Sequence, residues 1–271
     1  MNAELLENKP AEAAAAKAAI RADLTRWEFL DTGFNTGKFN MEYDLELVNR
    51  CRNENISFLR FYRWKPYAIS LGYNQTKFAS GHKIDTEKCA ADGIDIVERP
   101  TGGRAVLHSE ELTYSVVTIS DDAVHEMYRK ISLALLNGLK LIEPENTDLQ
   151  KFSFTKEMPD LLKLAKTGMY NLCFNTSIKN EINYEGKKLV GSAQRKFGNI
   201  VLQHGSVLIG NHHENIVNYL LIDQKVKERV RKEITEKTTC INDILKRKVS
   251  YEETASALIK GFENTLKISF K

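Results

Sequence analysis

Short apolar runs separated by turn residues dominate the chain from Trp27 onward. Runs of this kind predict strands, because side chains along a strand point alternately to the two faces of a sheet. The first run is expected to form a strand that ends in a glycine turn, and Asn40 is expected to cap the helix that follows. The aromatic stretch 56–73 predicts two strands divided by Lys65-Pro66.

Two further stretches of strand pattern contain glycine turns. Residues 98–117 predict two strands joined by a tight turn at 100–103. Residues 168–210 predict a three-stranded antiparallel meander with hairpin turns at 185–186 and 198–199. The strands therefore follow one another in hairpin order.

Helical spacing, with apolar residues three or four positions apart, is confined to separate segments. The strongest helix is expected to be capped by Asp121 or Asp122 and to run to Leu139. Ser250 and Glu253 form a capping box for the last helix. The other predicted helices are a short one at 85–92, a short pattern at 158–164, one at 216–220 and a charged one at 225–237.

These elements predict an α+β domain with a mostly antiparallel sheet flanked by helices. We expect three parts: an Ala-rich arm at 1–25, an α+β domain at 26–210 that contains the candidate catalytic residues, and a helical part at 211–271 packed on the same domain. The arm is nearly unbroken alanine from Ala11 to Ala19 and is given no function.

Composition limits the class of protein. At 271 residues, with 42% hydrophobic and 28% charged residues, the chain matches an ordinary globular protein. A net charge of +3 without a Lys- or Arg-rich block argues against nucleic-acid binding. The sequence has no run of 18 apolar residues and no secretion signal, so we expect no membrane association and a cytoplasmic location.

The four cysteines are Cys51, Cys89, Cys173 and Cys240, and they lie far apart in the sequence. They show no Cys-x-x-Cys spacing and have no paired histidine nearby. This pattern predicts neither a metal site nor a disulfide framework. It leaves open whether one of the four is a reactive thiol.

The turn at 100–103 is a candidate binding loop. Gly102 and Gly103 have no Cβ, so a ligand can approach their backbone closely. Three basic residues lie close to this turn in the sequence: Arg99, Arg104 and His108. The loop could therefore offer both backbone amides and cationic side chains to a carbonyl or a phosphate group. A plain hairpin with a solvated arginine explains the same residues, because Gly-rich turns are common.

The predicted meander contains a second candidate site. Gly191, Ser192 and Ala193 lie on one strand and Gly205 on the next. Small side chains at neighbouring positions leave a groove on the sheet into which another molecule fits.

Cys173 and Lys188 are the candidate reactive residues beside this groove. A cysteine between Leu172 and Phe174 fits a buried structural thiol, and Lys188 fits a solvated hairpin residue like Lys187. If Lys188 instead faces the groove, its ammonium would lower the pKa of a nearby thiol from about 8.5. A thiolate beside a cation and a groove is a site for acyl transfer.

Four motifs in this order resemble the biotin/lipoate protein ligase superfamily. They are Trp27 to Met41 with Asp31-Thr32-Gly33, the segment Arg-Pro-Thr-Gly-Gly-Arg-Ala-Val-Leu-His at 99–108, the segment Gly-Lys-Lys-Leu-Val-Gly-Ser-Ala-Gln at 186–194, and Gln203-His204-Gly205-Ser206. Within the superfamily the chain is most similar to the octanoyltransferases that build protein-bound lipoate with a Cys and a Lys. The resemblance runs from about Trp27 to Phe262.

The resemblance implies acyl transfer in two steps, without a cofactor. Cys173 would take an octanoyl group from acyl carrier protein as a thioester and pass it to the lysine of a lipoyl-domain protein, such as a glycine cleavage H protein. Lys188 would be the second catalytic residue, and a monomer is expected. The implied substrate-binding residues are Arg99, Gly102, Gly103, Arg104, His108, Gly191, Ser192, Ala193, His204 and Gly205.

Three other functions stay open. A lipoyl or octanoyl amidotransferase resembles the chain but takes its acyl group from a protein amide. An ATP-dependent lipoate ligase shares Lys188, but such ligases usually carry a polar pair at Cys173-Phe174 and tend to carry a third glycine at Arg104. A non-catalytic module that holds a lipoylated partner is the third.

Overall fold

The computed structural model describes residues 26–75, 83–142, 148, 151–155 and 181–270. The Ala-rich arm at 1–25, the helical pattern at 158–164 and Cys173 lie outside the described residues. What the sequence indicates for these segments therefore stays a prediction.

Strands in the described part of the chain form two sheets. In chain order they are β1 (Arg26–Asn35), β2 (Ile56–Trp64), β3 (Ala68–Gly72), β4 (Asp95–Arg99), β5 (Val106–His108), β6 (Glu111–Ile119), β7 (Phe152–Phe154), β8 (Ile182–Tyr184), β9 (Lys187–Phe197) and β10 (Ile200–Leu208). The larger sheet has the order β1-β2-β6-β10-β9-β8-β7, and the smaller has the order β4-β3-β5. β1 runs parallel to β2 and β3 parallel to β4, and the other pairs are antiparallel.

Helices flank both sheets, which confirms the α+β fold class. They are α1 (Gly37–Glu54), α2 (Thr86–Ala91), α3 (Val124–Leu139), a 3₁₀ helix (His212–Tyr219), α4 (Gln224–Lys237), α5 (Ile241–Leu245) and α6 (Tyr251–Leu266). The sequence pattern missed α5 and the short strand β7. No helix in the described segments is long and apolar enough to cross a membrane.

The predicted cap of α1 is wrong by four residues. Thr36 caps this helix, and its hydroxyl accepts a hydrogen bond from the backbone N–H of Phe39. Asn40 lies inside the first turn and is buried. Its side-chain amide donates to the carbonyl of Arg63 at 3.1 Å, so it ties the helix to the end of β2.

The predicted cap of α3 is also wrong, whereas that of α6 is confirmed. Ala123 is the residue at the capping position of α3, and alanine has no side-chain oxygen to make a capping bond. The carboxylate of Asp122, one residue earlier, pairs with Lys130 at 2.7 Å. Ser250 caps α6 and accepts the N–H of Glu253 at 3.0 Å. A capping hydroxyl of this kind is worth about 1 kcal/mol.

The two strands expected around 100–103 exist, but the expectation that a tight turn joins them is wrong. β4 and β5 are both hydrogen-bonded to β3, which lies between them. A tight turn can join only strands that pair directly. Residues 100–105 therefore form a loop that crosses the end of β3, beside Gly72.

The meander of β8, β9 and β10 is confirmed. Its first turn places Glu185 and Gly186 at φ values of 49° and 77°, and the second places Gly198 at 68°. Positive φ angles in two-residue loops match the right-handed twist of paired strands. The two strands on either side of Lys65-Pro66 are confirmed as well.

Helices pack against both sheets, and α1 contacts the large sheet through Val48 and the small sheet through Met41. On the large sheet, Leu135 of α3 and Phe262 of α6 join a buried cluster with Tyr114. On the small sheet, the 3₁₀ helix and α4 bury Val217 and Ile234. The opposite faces of the two sheets meet at a pocket.

Candidate functional site

A pocket between the two sheets brings together most of the predicted site residues. It encloses about 470 Å³ of space free of protein atoms, part of it open to solvent. Strands of the large sheet form one wall, and β3, β4 and β5 form the other. The predicted residues that line it are Arg99, His108, Lys188, Gly191, Ser192, Ala193, His204 and Gly205.

The small residues shape the floor of the pocket. Gly205 pairs with Ser192, and Ser206 with Gly191. A Cβ on Gly205 would overlap the carbonyl oxygen of Gly191 and lie 2.9 Å from the Oγ of Ser192. Only glycine at position 205 allows β9 and β10 to approach this closely.

Lys188 is buried in the pocket wall, whereas its neighbour Lys187 is exposed. The Nζ of Lys188 lies 2.7 Å from Oε1 of Glu181, and the two side chains are 3% and 2% exposed. A buried ammonium needs a counter-charge, because removing an unpaired ion from water is very costly. Glu181 also lines the pocket. Sequence reasoning missed Glu181, which stands two residues before Asn183, the residue that pairs with Lys188 across the hairpin.

His204 is held by partners at both ring nitrogens. Its Nδ1 is 2.9 Å from Oδ2 of Asp44, and its Nε2 is 2.6 Å from Oγ1 of Thr101. Burial raises the pKa of Asp44, but the hydrogen bond from His204 and the charge of Arg60 outweigh it and lower this pKa below its usual value. Burial lowers the pKa of His204 and keeps the ring neutral. Its Nδ1–H therefore donates to the carboxylate, and the Thr101 hydroxyl donates to Nε2.

Arg99 organises the loop at 100–105. Its Nη1 donates to the carbonyl and the Oγ of Ser70, both at 3.0 Å. Its Nη2 donates to the carbonyl of Arg104 at 2.6 Å, and its Nε to that of Gly102 at 3.1 Å. The guanidinium thus fastens loop carbonyls to β3.

Gly102, Gly103 and Arg104 are not brought to the pocket wall, although they were predicted to bind substrate. Gly103 has a φ of 96°, in the region that favours glycine, and its carbonyl oxygen lies against Gly72. The loop backbone at Gly103 therefore packs closely on the end of β3, at Gly72. Arg104 is itself buried, and its carbonyl accepts the Arg99 bond.

This packing predicts a contrast between two glycines. A Cβ on Gly72 would overlap the carbonyl oxygen of Gly103, whereas a Cβ on Gly102 would have no atom within 4 Å. We expect Gly72→Ala to lower the free energy of unfolding by about 1–3 kcal/mol, because the loop backbone must shift. Gly102→Ala should change it by less than about 0.5 kcal/mol. Urea unfolding of the two variants measures the difference, and equal stabilities would contradict this packing.

His108 lies in a second buried hydrogen-bond network. Its Nδ1 is 2.8 Å from Oε1 of Glu111, and its Nε2 is 2.7 Å from the Oγ of Ser70. The ring stacks on Trp64, with 4.1 Å between centroids and 11° between planes. Glu111 Oε1 also accepts the hydroxyls of Thr113 and Ser206, at 2.6 and 2.7 Å. A charged residue inside the apolar strand β6, three positions after a histidine, was the signal that sequence reasoning passed over.

The thiols in the described part of the chain are poor nucleophiles. Burial raises the pKa of Cys51 and Cys89 to about 11, and that of Cys240 to about 12. All three are free and buried. The described residues also contain no group of three His, Cys, Asp or Glu side chains that could hold a metal ion.

The fold is shared with known lipoate protein ligases. The structure superimposes on a bipartite lipoate protein ligase from Thermoplasma acidophilum with a TM-score of 0.70, at 24% identity, covering 91% of this chain and 86% of that one. A family model for the lipoyl protein ligase A/B catalytic domain matches residues 36–263, and the chain belongs to this family. The resemblance stated from the motifs is thereby confirmed.

Two curated relatives are octanoyltransferases. The chain is 34% identical to the octanoyltransferase LipM of Geobacillus kaustophilus, over 89% of this chain and 87% of that protein. It is 31% identical to the octanoyltransferase LipM of Lysinibacillus sphaericus, over 92% and 90%. Both alignments cover nearly the whole length of each protein.

Proposed function

We propose that the chain takes an octanoyl group from acyl carrier protein, holds it as a thioester on Cys173, and passes it to the lysine of a lipoyl domain. Octanoyl transfer in lipoate biosynthesis follows from the octanoyltransferase relatives, which match this chain over about nine tenths of its length. The protein is accordingly an acyltransferase. The carrier-protein donor, the thioester and the acceptor lysine are the parts that we propose.

The Lys188–Glu181 ion pair is the observation that carries the proposal. Both side chains are buried and line a pocket floored by small residues. Glu181 lies in the pocket wall, and Cys173 precedes it by eight residues in the sequence. A separation this short allows the Cys173 thiol to lie near the ammonium of Lys188.

The chemistry of the thiols supports Cys173 as the nucleophile. A nucleophilic cysteine reacts as the thiolate, so its pKa must lie near or below the working pH. Burial raises the pKa of the other three cysteines far above that range. These three thiols are therefore poor candidates for the nucleophile, which leaves Cys173 as the proposed one.

The ion pair also sets what Lys188 contributes. Because Glu181 lies 2.7 Å from its Nζ, the ammonium acts on the thiol as one end of an ion pair and with less than a full unit charge. An ammonium in this pocket wall can donate to the oxyanion that forms when a thioester carbonyl is attacked. Glu181 fixes the direction of the ammonium.

The two steps need no external energy source. In the first, the Cys173 thiolate attacks the carrier thioester, and the carrier's thiol leaves. In the second, the acceptor amine attacks the new thioester, and the Cys173 thiolate leaves. A thioester is already activated, so each step exchanges one acyl bond for another.

The walls of the pocket suit an eight-carbon chain. Met41, Tyr62, Trp64 and Val106 line it beside the polar groups. Each buried methylene contributes about 0.8 kcal/mol, so the acyl chain would supply several kcal/mol of binding free energy.

A donor comparison tests this function. Octanoyl carrier protein should octanoylate a lipoyl domain in EDTA and without ATP, because the thioester supplies the activation. Octanoate with ATP and magnesium should give no product above background. Mass spectrometry of the lipoyl domain measures both reactions.

The same assay separates the alternatives. Faster transfer from octanoate and ATP would establish a ligase and contradict the proposal. Transfer from an octanoylated lipoyl domain, with none from the carrier protein, would establish an amidotransferase. No transfer from any donor would favour a binding module.

A further inference from the structure

Ser70, His108 and Glu111 form a continuous hydrogen-bonded chain beside the pocket. The two links are 2.7 Å between Ser70 Oγ and His108 Nε2 and 2.8 Å between His108 Nδ1 and Glu111 Oε1. The three residues are 1%, 6% and 3% exposed, and Ser70 and His108 line the pocket. Stacking on Trp64 fixes the plane of the imidazole.

The donors and acceptors of these three residues fix the direction in which each hydrogen bond is donated. Burial raises the pKa of the Glu111 carboxyl, but the charge that His108 carries when protonated and the hydrogen bonds of His108, Thr113 and Ser206 outweigh burial and lower this pKa. The carboxylate accepts the Nδ1–H of His108. In a neutral ring Nε2 is then an acceptor, and Ser70 donates its hydroxyl proton to it. Arg99 Nη1 donates to Ser70 Oγ at 3.0 Å, which occupies one of its two lone pairs. The other lone pair is left to accept a proton.

The second step of the proposed function needs such an acceptor. A lysine amine has a pKa of about 10.4, so only about 1 in 2,500 is neutral at pH 7. The ammonium form has no lone pair and cannot attack a carbonyl. A base in the pocket would therefore accelerate the step, typically by about 10²–10⁴-fold.

Other titratable groups of the pocket are committed elsewhere. Glu181 is paired with Lys188, and both ring nitrogens of His204 have partners. His108 and His204 are each bonded to a carboxylate at Nδ1 and to a hydroxyl at Nε2, but Ser70 lines the pocket and Thr101 does not. The hydroxyl that can exchange its proton with a bound amine is therefore that of Ser70.

Resting on the proposed function, we propose that Ser70, His108 and Glu111 are the proton relay that activates the acceptor lysine. The ammonium gives one proton to Ser70 Oγ while Ser70 gives its own to His108 Nε2, and Glu111 holds the resulting imidazolium. The neutral amine attacks the octanoyl thioester. When the C–S bond breaks, the amine's second proton goes to the leaving Cys173 sulfur, and His108 later releases the first to solvent. Ser70 and His108 are catalytic residues in this step, and Glu111 is a positioning residue.

The relay is tested on enzyme first loaded with octanoyl carrier protein and then mixed with a lipoyl domain in a single turnover. Ser70→Ala, His108→Asn and Glu111→Gln should lower the rate of amide formation at pH 7, by about 100-fold for Ser70 and His108. Loading of the enzyme should change little, because no amine is involved. The defect should narrow as the pH approaches 10, where the lysine loses its proton unaided.

Hydroxylamine separates the relay from a purely structural role. Its nitrogen is already neutral at pH 7, so it should remove the octanoyl group from the variants as fast as from the wild type. Ser57→Ala is a matched control for a buried serine, since Ser57 bonds Thr118 at 2.8 Å away from the pocket. His125→Asn, on the exposed side of α3, is the control for histidine. Both controls should transfer at the wild-type rate.

The pH dependence also reflects the charges that face His108. Glu111 on β6 and Arg99 on β4 contact it or its partner Ser70, and His204 on β10 and the Lys188–Glu181 pair lie in the same pocket. None of these groups is altered in Ser70→Ala. A change in the pH dependence of amide formation in Ser70→Ala therefore measures the loss of the relay.

Each outcome decides between the possibilities. Wild-type amide formation in the Ser70 and His108 variants would overturn the relay and leave the proposed function intact. If a variant loses amide formation and deacylation by hydroxylamine to the same extent, the residue has a structural role, and the relay is overturned. An octanoyl mass on a Ser70 peptide would make Ser70 a nucleophile. A wild type that never becomes loaded would overturn the proposed function, and the relay with it.

Discussion

Cys173→Ala should abolish octanoyl transfer while leaving the protein folded. The proposed reaction passes through a thioester on this sulfur, and removing an enzyme's nucleophile typically lowers the rate by on the order of 10⁴–10⁶-fold. Cys173→Ser should retain at most a trace, because an alkoxide forms far less readily than a thiolate. Product formation on a lipoyl domain, followed by mass spectrometry, measures the loss.

The other cysteines provide matched controls. Cys51, Cys89 and Cys240 are buried, and their raised pKa values keep them as thiols at neutral pH. Replacing each by alanine should cost stability through the cavity it leaves, yet transfer should continue. Sustained transfer by Cys173→Ala, or its loss in one of the other three, would move the nucleophile elsewhere.

Lys188→Ala should lower the transfer rate by about 10²–10³-fold, the usual cost of losing one oxyanion contact. Lys188→Arg should also be slow, because a planar guanidinium does not replace a compact ammonium in a tight pocket. Lys187 is exposed on the opposite face of β9, so Lys187→Ala should change the rate little. Equal losses in the Lys187 and Lys188 variants would contradict the placement of the cation.

Glu181 complicates this comparison in a way that can be controlled. Removing Lys188 alone leaves the Glu181 carboxylate buried without its 2.7 Å partner, which typically costs 3–5 kcal/mol of stability. The double variant Lys188→Met with Glu181→Gln removes both charges and should recover much of that stability. If it folds but transfers slowly, Lys188 acts in the chemistry. If it folds and transfers at the wild-type rate, the ion pair serves packing alone.

The local sequence pattern was sufficient to predict the elements whose contacts join residues close together in the sequence. The meander follows from two short turns flanked by alternating residues, and the same alternation places Lys188 inward and Lys187 outward. The capping box at Ser250 is likewise a contact between residues three positions apart. These interactions are decided within one turn or one hairpin.

The features that could not be predicted from the sequence depend on contacts between residues far apart in the chain. β3 lies between β4 and β5 because of pairings across the fold, so the loop at 100–105 could not be recognised as a crossing loop. The contacts of Arg99 with Ser70 and of His204 with Asp44 span 29 and 160 positions. The Glu181 partner of Lys188 was missed for a different reason, because nothing in the pattern marks that carboxylate as buried.

Peptide mass mapping of the unmodified protein, after mixing with octanoyl carrier protein alone, tests the central claim most directly. The account predicts one added octanoyl group on the peptide that contains Cys173, removed by hydroxylamine as a thioester should be. An octanoyl group on Cys51, Cys89 or Cys240, or no octanoyl group on any peptide, would contradict it.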